Sequence, residues 1–298
     1  MPTRRRLLVV AAAAGAVGLA SVGGARTTWR GRAMGADVSI SIEADGAAAE
    51  AALSAARDTV RRMERLFSLY DPASSLSRLN RSGSLKMPME FARLVQIAGQ
   101  VHALSGGWFD PTVQPLFSAL SKGAPLPPAA VLGWPKVKVE GRRISMPHSG
   151  MALTFNGIAQ GFATDRVSEV LKAHGFTRVL ANVGEYRAGD EPALLGVADP
   201  EGSVLQSVNL RNAAIATSSP GALRLDAVRS HILAPDGAQT PPVWATVSVV
   251  AETAALADGF STALALAPDQ RLASALAAAG HVQRVFLQGV SGRQTWIG

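Results

Sequence analysis

Asp258 and Thr262 are the two side chains of this sequence whose types and spacing most clearly suggest chemistry. They are four residues apart, so a helix would place a carboxylate and a hydroxyl oxygen on one face. Hard cations such as Mg²⁺ prefer oxygen ligands of this kind. Spacing alone favours a simpler interpretation, in which the aspartate is solvated and the threonine bonds back to a main-chain carbonyl. The surrounding segment is apolar on nearly every side, however, and an unpaired buried aspartate is costly, which favours a metal site.

A second chemical feature is the stretch from Leu153 to Arg187, which predicts a strand, a glycine-flanked turn, an amphipathic helix and a second strand around one crevice. The first strand is predicted over residues 151–155. The helix after it begins with unpaired main-chain N–H groups and a positive dipole end, which favour an anion. Gly157 and Gly161 lack side chains, so a phosphate or nucleotide can approach the backbone. The alternative is a purely architectural unit, because the stretch is neither the dinucleotide fingerprint nor the P-loop.

The rest of the pattern supplies the elements that must position these groups. Apolar residues at helical spacing predict helices, and alternating or short apolar runs predict strands. The predicted helices cover residues 46–69, 90–104 and 253–267, and the predicted strands cover residues 37–43, 194–198, 207–210, 246–250 and 284–288. No repeat or low-complexity linker interrupts residues 26–298. We therefore expect one compact α+β domain with mixed or antiparallel sheets and packed helices around the crevice.

Residues 1–25 have the pattern of an export signal. Three arginines stand at positions 4–6, residues 7–22 are moderately apolar and rich in Ala and Gly, and residues 23–25 are small. Paired arginines before a mild apolar core resemble a twin-arginine signal, which predicts a protein exported in the folded state to the periplasm. The alternative is a retained membrane anchor, although the apolar run is shorter than the ~20 residues of a spanning helix.

Composition excludes several kinds of site. None of the 298 residues is cysteine, which excludes disulfides, thiolate metal sites, a cysteine nucleophile and a lipid-bearing cysteine, so the protein is not a lipoprotein of that kind. The formal net charge is +7, and the arginines at positions 4–6 supply three of these charges, which leaves +4 for residues 26–298. This mild excess suits an anionic ligand. No basic run interleaved with aromatic residues is present, so nucleic-acid binding is not predicted.

Eight short motifs follow one another along the chain. They are Met34-Gly35, Tyr70-Asp71-Pro72, Ser75-Leu76-Ser77-Arg78-Leu79-Asn80, Gly106-Gly107-Trp108-Phe109-Asp110-Pro111-Thr112-Val113, Gly157-Ile158-Ala159-Gln160-Gly161, Thr217-Ser218, His231-Ile232 and Ala257-Asp258 with Thr262. Each motif is modest alone, but their order and spacing together closely resemble the FAD:protein FMN transferases, the ApbE-like flavin transferases. The resemblance extends over essentially all of residues 26–298.

This resemblance implies a reaction and a set of partners. Mg²⁺ would assist cleavage of the FAD pyrophosphate, and FMN would pass through a phosphoester to a threonine or serine hydroxyl of a target flavoprotein, with release of AMP. No acceptor-type motif is evident in this chain, so the acceptor is predicted to be a separate protein, a membrane-bound redox subunit.

The resemblance also implies residue roles. The metal ligands would be Asp258, Thr262 and the carbonyl of Gly157. His231 is the candidate general base, because a neutral imidazole accepts a proton near neutral pH; the alternative is a structural histidine at a strand end. The positions that match FAD-contacting residues are Met34, Tyr70, Trp108, Phe109, Asp110, Thr154, Gln160, Ser218 and Ile232.

The chain departs from the family's pattern at several positions. The family often has aspartate where Thr154 stands, a lysine or an acidic residue at Gln160, Gly-Gly-Asp where Gly184-Glu185-Tyr186 stands, aspartate at Ala234 and, in some relatives, a second carboxylate at Ser261. Fewer acidic ligands would weaken Mg²⁺ binding, with FAD phosphates supplying part of the charge and Glu185 as a candidate replacement. Two other functions therefore stay open: an FAD pyrophosphatase, in which water replaces the protein hydroxyl, and a non-catalytic FAD-binding maturation factor.

Overall fold

The secondary structure is that of a computed structural model, which describes residues 26–199, 202–225, 229–235 and 241–298. The α-helices in these ranges are α1 (Gly46–Phe67), α2 (Ser75–Ser82), α3 (Met89–Leu104), α4 (Gln114–Lys122), α5 (Ala159–Ala173), α6 (Ala254–Leu266) and α7 (Arg271–Ala278). The strands are β1 (Thr27–Ala33), β2 (Ala36–Ile42), β3 (Ser84–Lys86), β4 (Lys138–Glu140), β5 (Arg143–Ser145), β6 (Val179–Val183), β7 (Tyr186–Ala188), β8 (Ala193–Ala198), β9 (Val204–Leu210), β10 (Ala214–Ser218), β11 (Trp244–Ala251), β12 (Arg284–Gly289) and β13 (Gln294–Ile297). The three predicted long helices correspond to α1, α3 and α6 and are confirmed to within two residues at each end.

Eight of the strands form one sheet in the order β1-β2-β6-β7-β10-β11-β12-β13. Every neighbouring pair in this order is antiparallel. Two smaller antiparallel sheets, β3-β5-β4 and β8-β9, complete the described part of the fold. The five predicted strands overlap β2, β8, β9, β11 and β12. The prediction of one compact α+β domain with antiparallel sheets is therefore confirmed.

Strands β7, β10, β11 and β12 of the large sheet are covered on both faces. Successive side chains of a strand point to opposite faces, and β12 illustrates this alternation. Val285 and Leu287 belong to the main core with the helices, whereas Phe286 between them belongs to a second cluster formed with β8 and β9. The helices therefore cover one face of the sheet, and the β8-β9 hairpin covers the other.

A cluster of phenylalanine rings lies beneath the corner predicted from the sequence. Phe67 of α1 packs against Phe91 of α3, Phe162 of α5 and Phe155, with ring centroids 5.3 to 6.0 Å apart. Phe155 is fully buried and immediately precedes the turn at Gly157. Its packing therefore fixes the backbone just before α5 begins.

The strand predicted over residues 151–155 is wrong. This segment is largely buried but joins no sheet. The Asn80 side chain instead accepts from the Leu153 N–H at 2.8 Å and donates to the Leu153 carbonyl at 2.9 Å. The Thr154 N–H donates to the Pro111 carbonyl at 2.8 Å. A side-chain amide and one loop carbonyl replace the neighbouring strand, and an apolar pattern cannot distinguish these partners from a sheet.

The predicted export signal, residues 1–25, lies outside the described residues. Among the helices that are described, none combines the length and the apolar character needed to cross a bilayer. The twin-arginine signal and its alternative, a retained anchor, stay predictions from the sequence.

Candidate functional site

The start of α5 and the middle of α6 meet at the carbonyl of Gly157. Thr262 of α6 places its Oγ1 3.3 Å from this main-chain oxygen. A Cβ at position 157 would lie 2.7 Å from Thr262 Oγ1, so the hydroxyl can come this close only to glycine. Asp258 lies one turn earlier on the same helix, as the four-residue spacing predicts. The structure thus brings two of the three predicted metal ligands, Thr262 and the Gly157 carbonyl, into contact, and the third, Asp258, contacts the same segment at Gly161.

The Asp258 side chain is enclosed, with only 4% of its residue surface exposed. Its Oδ2 accepts a hydrogen bond from the Gly161 N–H at 3.0 Å. Burial raises the pKa of Asp258 to about 7; the Gly161 hydrogen bond opposes this rise, and the nearby Asp165 charge adds to it. Within the described ranges this side chain has no basic partner, so no cation of the protein stabilises its ionised form.

Glu185 is a second buried acid at this corner. It lies in the turn between β6 and β7, and its Oε2 accepts from the Thr217 N–H at 3.2 Å. Burial raises the pKa of Glu185 well above its usual range, and the charge of Asp258 raises it further. The Thr164 hydroxyl of α5 donates to the Glu185 carbonyl at 3.0 Å and holds the turn in place. The sequence left the direction of this side chain undetermined, and the structure turns it inward, toward Asp258.

The donors at this corner have the chemistry that Mg²⁺ requires, because all of them are oxygens. Two buried acids without a basic partner are costly to ionise on their own, and a divalent cation would stabilise their ionised forms. In the part of the chain that the structure describes, no three His, Cys, Asp or Glu side chains are arranged to hold a metal. A cation here would therefore draw on the Gly157 carbonyl and the Thr262 hydroxyl in addition to a carboxylate, with water or ligand phosphate oxygens completing its coordination. On those terms the residues fit magnesium, which stays a prediction.

The amides at the start of α5 are not free for an anion. The N–H groups of Ile158 and Ala159 donate to the Phe155 carbonyl at 3.0 and 2.7 Å, and the Gly161 N–H donates to Asp258. The prediction that these three N–H groups are unpaired is wrong, because the chain's own carbonyl and carboxylate already accept from them. Two buried carboxylates make this corner attractive to a cation instead.

Met34 and Gln160, two predicted FAD-contacting residues, are in direct contact. Met34 lies in the two-residue turn of the β1-β2 hairpin with a φ of 54°, a left-handed conformation that few non-glycine residues adopt. Its N–H donates to Glu64 Oε1 of α1 at 3.0 Å, and its carbonyl accepts from Gln160 Nε2 at 2.9 Å. Helices α1 and α5 thus hold the turn from both sides and fix the Met34 main chain beside Gln160.

Within the segment Trp108 to Asp110, the three predicted FAD contacts have different surroundings. Phe109 is buried in the core. Asp110 Oδ1 accepts from the N–H and hydroxyl of Thr112 at 2.8 and 2.6 Å, and Oδ2 accepts from the Trp134 N–H at 2.9 Å. Trp108 is only partly buried. Of the three, Trp108 keeps side-chain surface open to a ligand, and the FAD contacts of Phe109 and Asp110 stay predictions.

Tyr70 and Thr154 are more open. Tyr70 follows α1 with 64% of its surface exposed, and its N–H donates to Ser68 Oγ at 3.1 Å. An exposed ring held at its main chain is suited to cover a flat ligand. Thr154 is half-buried, and its Oγ1 accepts from the Asn156 N–H at 3.2 Å, just before Gly157.

Ser218 ties the end of β10 to α6. Its Oγ lies 2.8 Å from the Ser261 Oγ, which donates to the Asp258 carbonyl at 3.0 Å. Ser261, which stands where some relatives were expected to have a second carboxylate, therefore supports the helix that carries Asp258. The predicted contact of Ser218 with FAD stays a prediction.

His231 and Ile232 lie in the loop after β10. The His231 Nδ1 is 3.2 Å from the Leu223 carbonyl. Because a carbonyl oxygen only accepts, Nδ1 carries the proton of the neutral ring, and Nε2 keeps its lone pair. Burial lowers the pKa of His231 below its usual value, and the Leu223 hydrogen bond opposes this change. The ring is thus neutral near neutral pH, as a general base must be. Ile232 is half-buried, and its N–H donates to Ser230 Oγ at 3.1 Å.

Asp165 and Arg187 are residues of this region that the sequence reasoning missed. Asp165 of α5 accepts from the N–H groups of Ala254 and Ala255, at 2.8 and 2.9 Å. Arg187 Nη1 of β7 donates to Asp165 Oδ1 at 2.6 Å. Burial raises the pKa of Asp165, and the Arg187 charge opposes this rise. The sequence did contain a signal for Asp165, because an acidic residue on an apolar helix face is the same pattern that indicated Asp258.

Comparison with known proteins gives concordant matches. A model described as the ApbE family matches residues 34–286. A protein of Salmonella typhimurium named FAD:protein FMN transferase is 24% identical over 266 residues, which is 78% of this chain and 75% of the relative. One of Chlamydia muridarum with the same name is 27% identical over 227 residues, 68% of this chain and 71% of the relative. The structure of the flavin transferase ApbE from Vibrio cholerae superposes with a TM-score of 0.78 at 21% identity, over 93% of this chain and 98% of that one. At that identity the superposition establishes a shared fold.

Proposed function

The chain belongs to the ApbE family, and from this premise we propose that it is an FAD:protein FMN transferase. It transfers FMN from FAD to a threonine or serine hydroxyl of a target flavoprotein through a phosphoester bond, with Mg²⁺, and releases AMP. The relatives that bear this name match most of the chain's length. The observation that carries the proposal is the contact between Thr262 and the Gly157 carbonyl beside the buried Asp258.

In this proposal the corner between α5 and α6 binds the metal. Asp258, Thr262 and the Gly157 carbonyl would hold Mg²⁺, and Glu185 beside them would add negative charge once the cation favours its ionised form. When bound, the ion would neutralise the charge on the pyrophosphate oxygens and the charge that builds on the transferred phosphoryl group. The exposed ring of Tyr70 and the partly buried ring of Trp108 would cover the ring systems of FAD, and their accessible surface supports this role.

His231 has the role of general base. Its Nε2 accepts the proton of the acceptor hydroxyl as that oxygen forms a bond to the phosphorus of the FMN moiety. The bond from this phosphorus to the bridging oxygen breaks, and AMP leaves with the electron pair. The Leu223 carbonyl holds the imidazole in the tautomer that leaves Nε2 free to accept.

We further propose that the protein works in the periplasm after export by the twin-arginine-like signal. The acceptor would then be a flavoprotein subunit presented on that side of the membrane. The sequence supports this through the three arginines at positions 4–6 and the mild apolar run after them.

The test is to incubate the purified protein with FAD, Mg²⁺ and a flavinylatable acceptor domain, and to measure the intact mass of the acceptor together with AMP release. We expect a mass gain of one FMN residue per acceptor and an equal amount of AMP. Asp258→Asn should lose both signals. Asp269→Asn, which changes a partly exposed aspartate two residues before α7, should keep them.

Other outcomes lead to the other two functions. AMP and free FMN without labelling of any acceptor would indicate an FAD pyrophosphatase. FAD that stays bound and intact in the presence of Mg²⁺ would indicate a non-catalytic FAD-binding maturation factor.

A further inference from the structure

Helices α5 and α6 each hold the first turn of the other with a carboxylate. Asp258 of α6 accepts from the Gly161 N–H in the first turn of α5. One turn later on α5, Asp165 accepts from the N–H groups of Ala254 and Ala255, the first two residues of α6. The exchange joins the two helices at both ends of their contact.

The backbones of the two helices come into contact between these carboxylates. A Cβ at Gly161 would lie 2.2 Å from the Ala254 carbonyl oxygen, so the backbones are in direct contact there. A displacement of the start of α6 would therefore move Asp258, one turn along the helix, away from Gly161. It would also move Thr262 away from the Gly157 carbonyl.

Asp165 itself does not face the corner where a ligand would bind. Its two oxygens are used by two amides and by Arg187, which also donates to the Glu252 carbonyl just before α6 at 2.9 Å. Arg187 lies on β7, two residues after Glu185. The pair thus connects α5, the start of α6 and the turn that carries Glu185.

We infer that Asp165 and Arg187 are positioning residues that set the spacing of the divalent-cation site formed by Gly157, Asp258 and Thr262. This inference rests on the proposed function and adds two residues to it. The physical reason is that two amides and one guanidinium fix the carboxylate in place, so α6 cannot shift or rotate at its start without breaking charged hydrogen bonds. Loss of residues that orient metal ligands typically lowers metal affinity about 10- to 100-fold.

The test measures binding of Mn²⁺ to the purified protein without FAD, by the decrease of the free-ion EPR signal. It also measures the half-saturating Mg²⁺ concentration for AMP release. Asp165→Asn replaces one acceptor oxygen by an NH₂ group that faces an amide N–H and cannot bond it. We expect Mn²⁺ binding to weaken at least about tenfold and half-saturating Mg²⁺ to rise equally, with kcat at saturating Mg²⁺ and KM for FAD changed less than about twofold.

Two further variants keep the test decisive if Asp165→Asn folds poorly. Arg187→Met leaves both amide caps in place but removes the guanidinium, and it should also weaken Mn²⁺ binding. Arg187→Lys should restore much of the affinity, because an ammonium can donate to both Asp165 and the Glu252 carbonyl. The matched control is Asp269→Asn, since Asp269 also accepts from a first-turn amide and pairs with an arginine, Arg271, but at the distant α7.

The outcomes separate this inference from the function on which it rests. If the wild type binds Mn²⁺ through Asp258 but the Asp165 and Arg187 variants bind it equally well, the positioning role is wrong and the proposed function stands. A uniform fall in kcat with unchanged Mn²⁺ binding would likewise overturn it, since that is the signature of a merely structural defect. If the wild type shows no Mn²⁺ binding that is lost in the Asp258→Ala variant, both the metal site and this inference are wrong.

Discussion

Gly161 of α5 lies so close to Ala254 of α6 that a Cβ at position 161 would be 2.2 Å from the Ala254 carbonyl oxygen. The Gly161 N–H also donates to the Asp258 carboxylate at 3.0 Å. One residue therefore sets both the separation of the two helices and the position of the acid proposed to bind the metal.

Gly161→Ala should push the two helices apart. We expect the free energy of unfolding to fall by about 1–3 kcal/mol, because the added methyl group meets backbone that cannot rotate away. AMP release should fall with it, since Asp258 and Thr262 move with α6. Chemical denaturation gives the stability, and Gly221→Ala is the control, because a Cβ there meets no atom within 4 Å. Equal stability of the two variants would contradict this account of the contact.

Thr262→Val should weaken the metal site while it preserves the shape of the side chain. The variant loses the hydroxyl that lies 3.3 Å from the Gly157 carbonyl, so one oxygen ligand is lost. We expect half-saturating Mg²⁺ to rise by at least about tenfold, measured as AMP release from FAD. Thr262→Ser keeps the oxygen and should stay near the wild type. A Val variant with unchanged Mg²⁺ dependence would remove Thr262 from the ligand set.

Met34→Asn should distinguish a contact of the Met34 side chain with FAD from the structural role of the Met34 main chain. Asparagine accepts the left-handed φ of 54° more readily than methionine, and the hydrogen bonds to Glu64 and Gln160 involve only the main chain. Stability should therefore change by less than about 1 kcal/mol. KM for FAD should rise about tenfold, as expected when a methionine contact worth roughly 1.5 kcal/mol is lost. Met89→Asn, at an exposed methionine, is the control. An unchanged KM would show that Met34 does not contact FAD.

The pH profile of transfer should report on His231. Burial lowers the pKa of His231 from its usual value of 6.5, so at saturating Mg²⁺ the rate should fall to half its neutral-pH value only below pH 6.5. His231→Gln should lower the rate about 10²- to 10⁴-fold, the usual contribution of a general base, whereas the exposed His148→Gln should not. A rate that already halves above pH 6.5 would argue against His231 as the base.

Without metal, the stability of the protein should fall as pH rises from about 4 toward 7. The pKa of Asp258 is about 7 in the folded protein and 3.8 in the unfolded chain, so the folded state binds more protons across that window. Stability falls with pH wherever the folded state holds the extra proton. Thermal melts at several pH values give Tm as a function of pH, and the slope of Tm against pH should be smaller for Asp258→Asn than for the wild type. Added Mg²⁺ should stabilise the wild type most at the upper end of this pH window. A wild-type slope no larger than that of Asp258→Asn would mean that this carboxylate is ionised throughout.

The sequence alone determined much of the fold and the local geometry of the site. Helical spacing predicted α1, α3 and α6, and the same periodicity placed Asp258 and Thr262 on one face, because both depend on 3.6 residues per turn within one segment. The order of the short motifs indicated the family, which the family match over residues 34–286 confirms.

Only the tertiary structure decided which groups meet across segments. The strand predicted over residues 151–155 has its hydrogen bonds satisfied by Asn80 and Pro111, from distant parts of the chain. The amides predicted to bind an anion are taken partly by Asp258, 97 residues away. Whether Glu185 faces inward, and whether Asp165 caps α6, depends on how two helices and a sheet pack. A residue pattern records periodicity within an element, whereas a partner of a buried polar group is fixed by packing between elements.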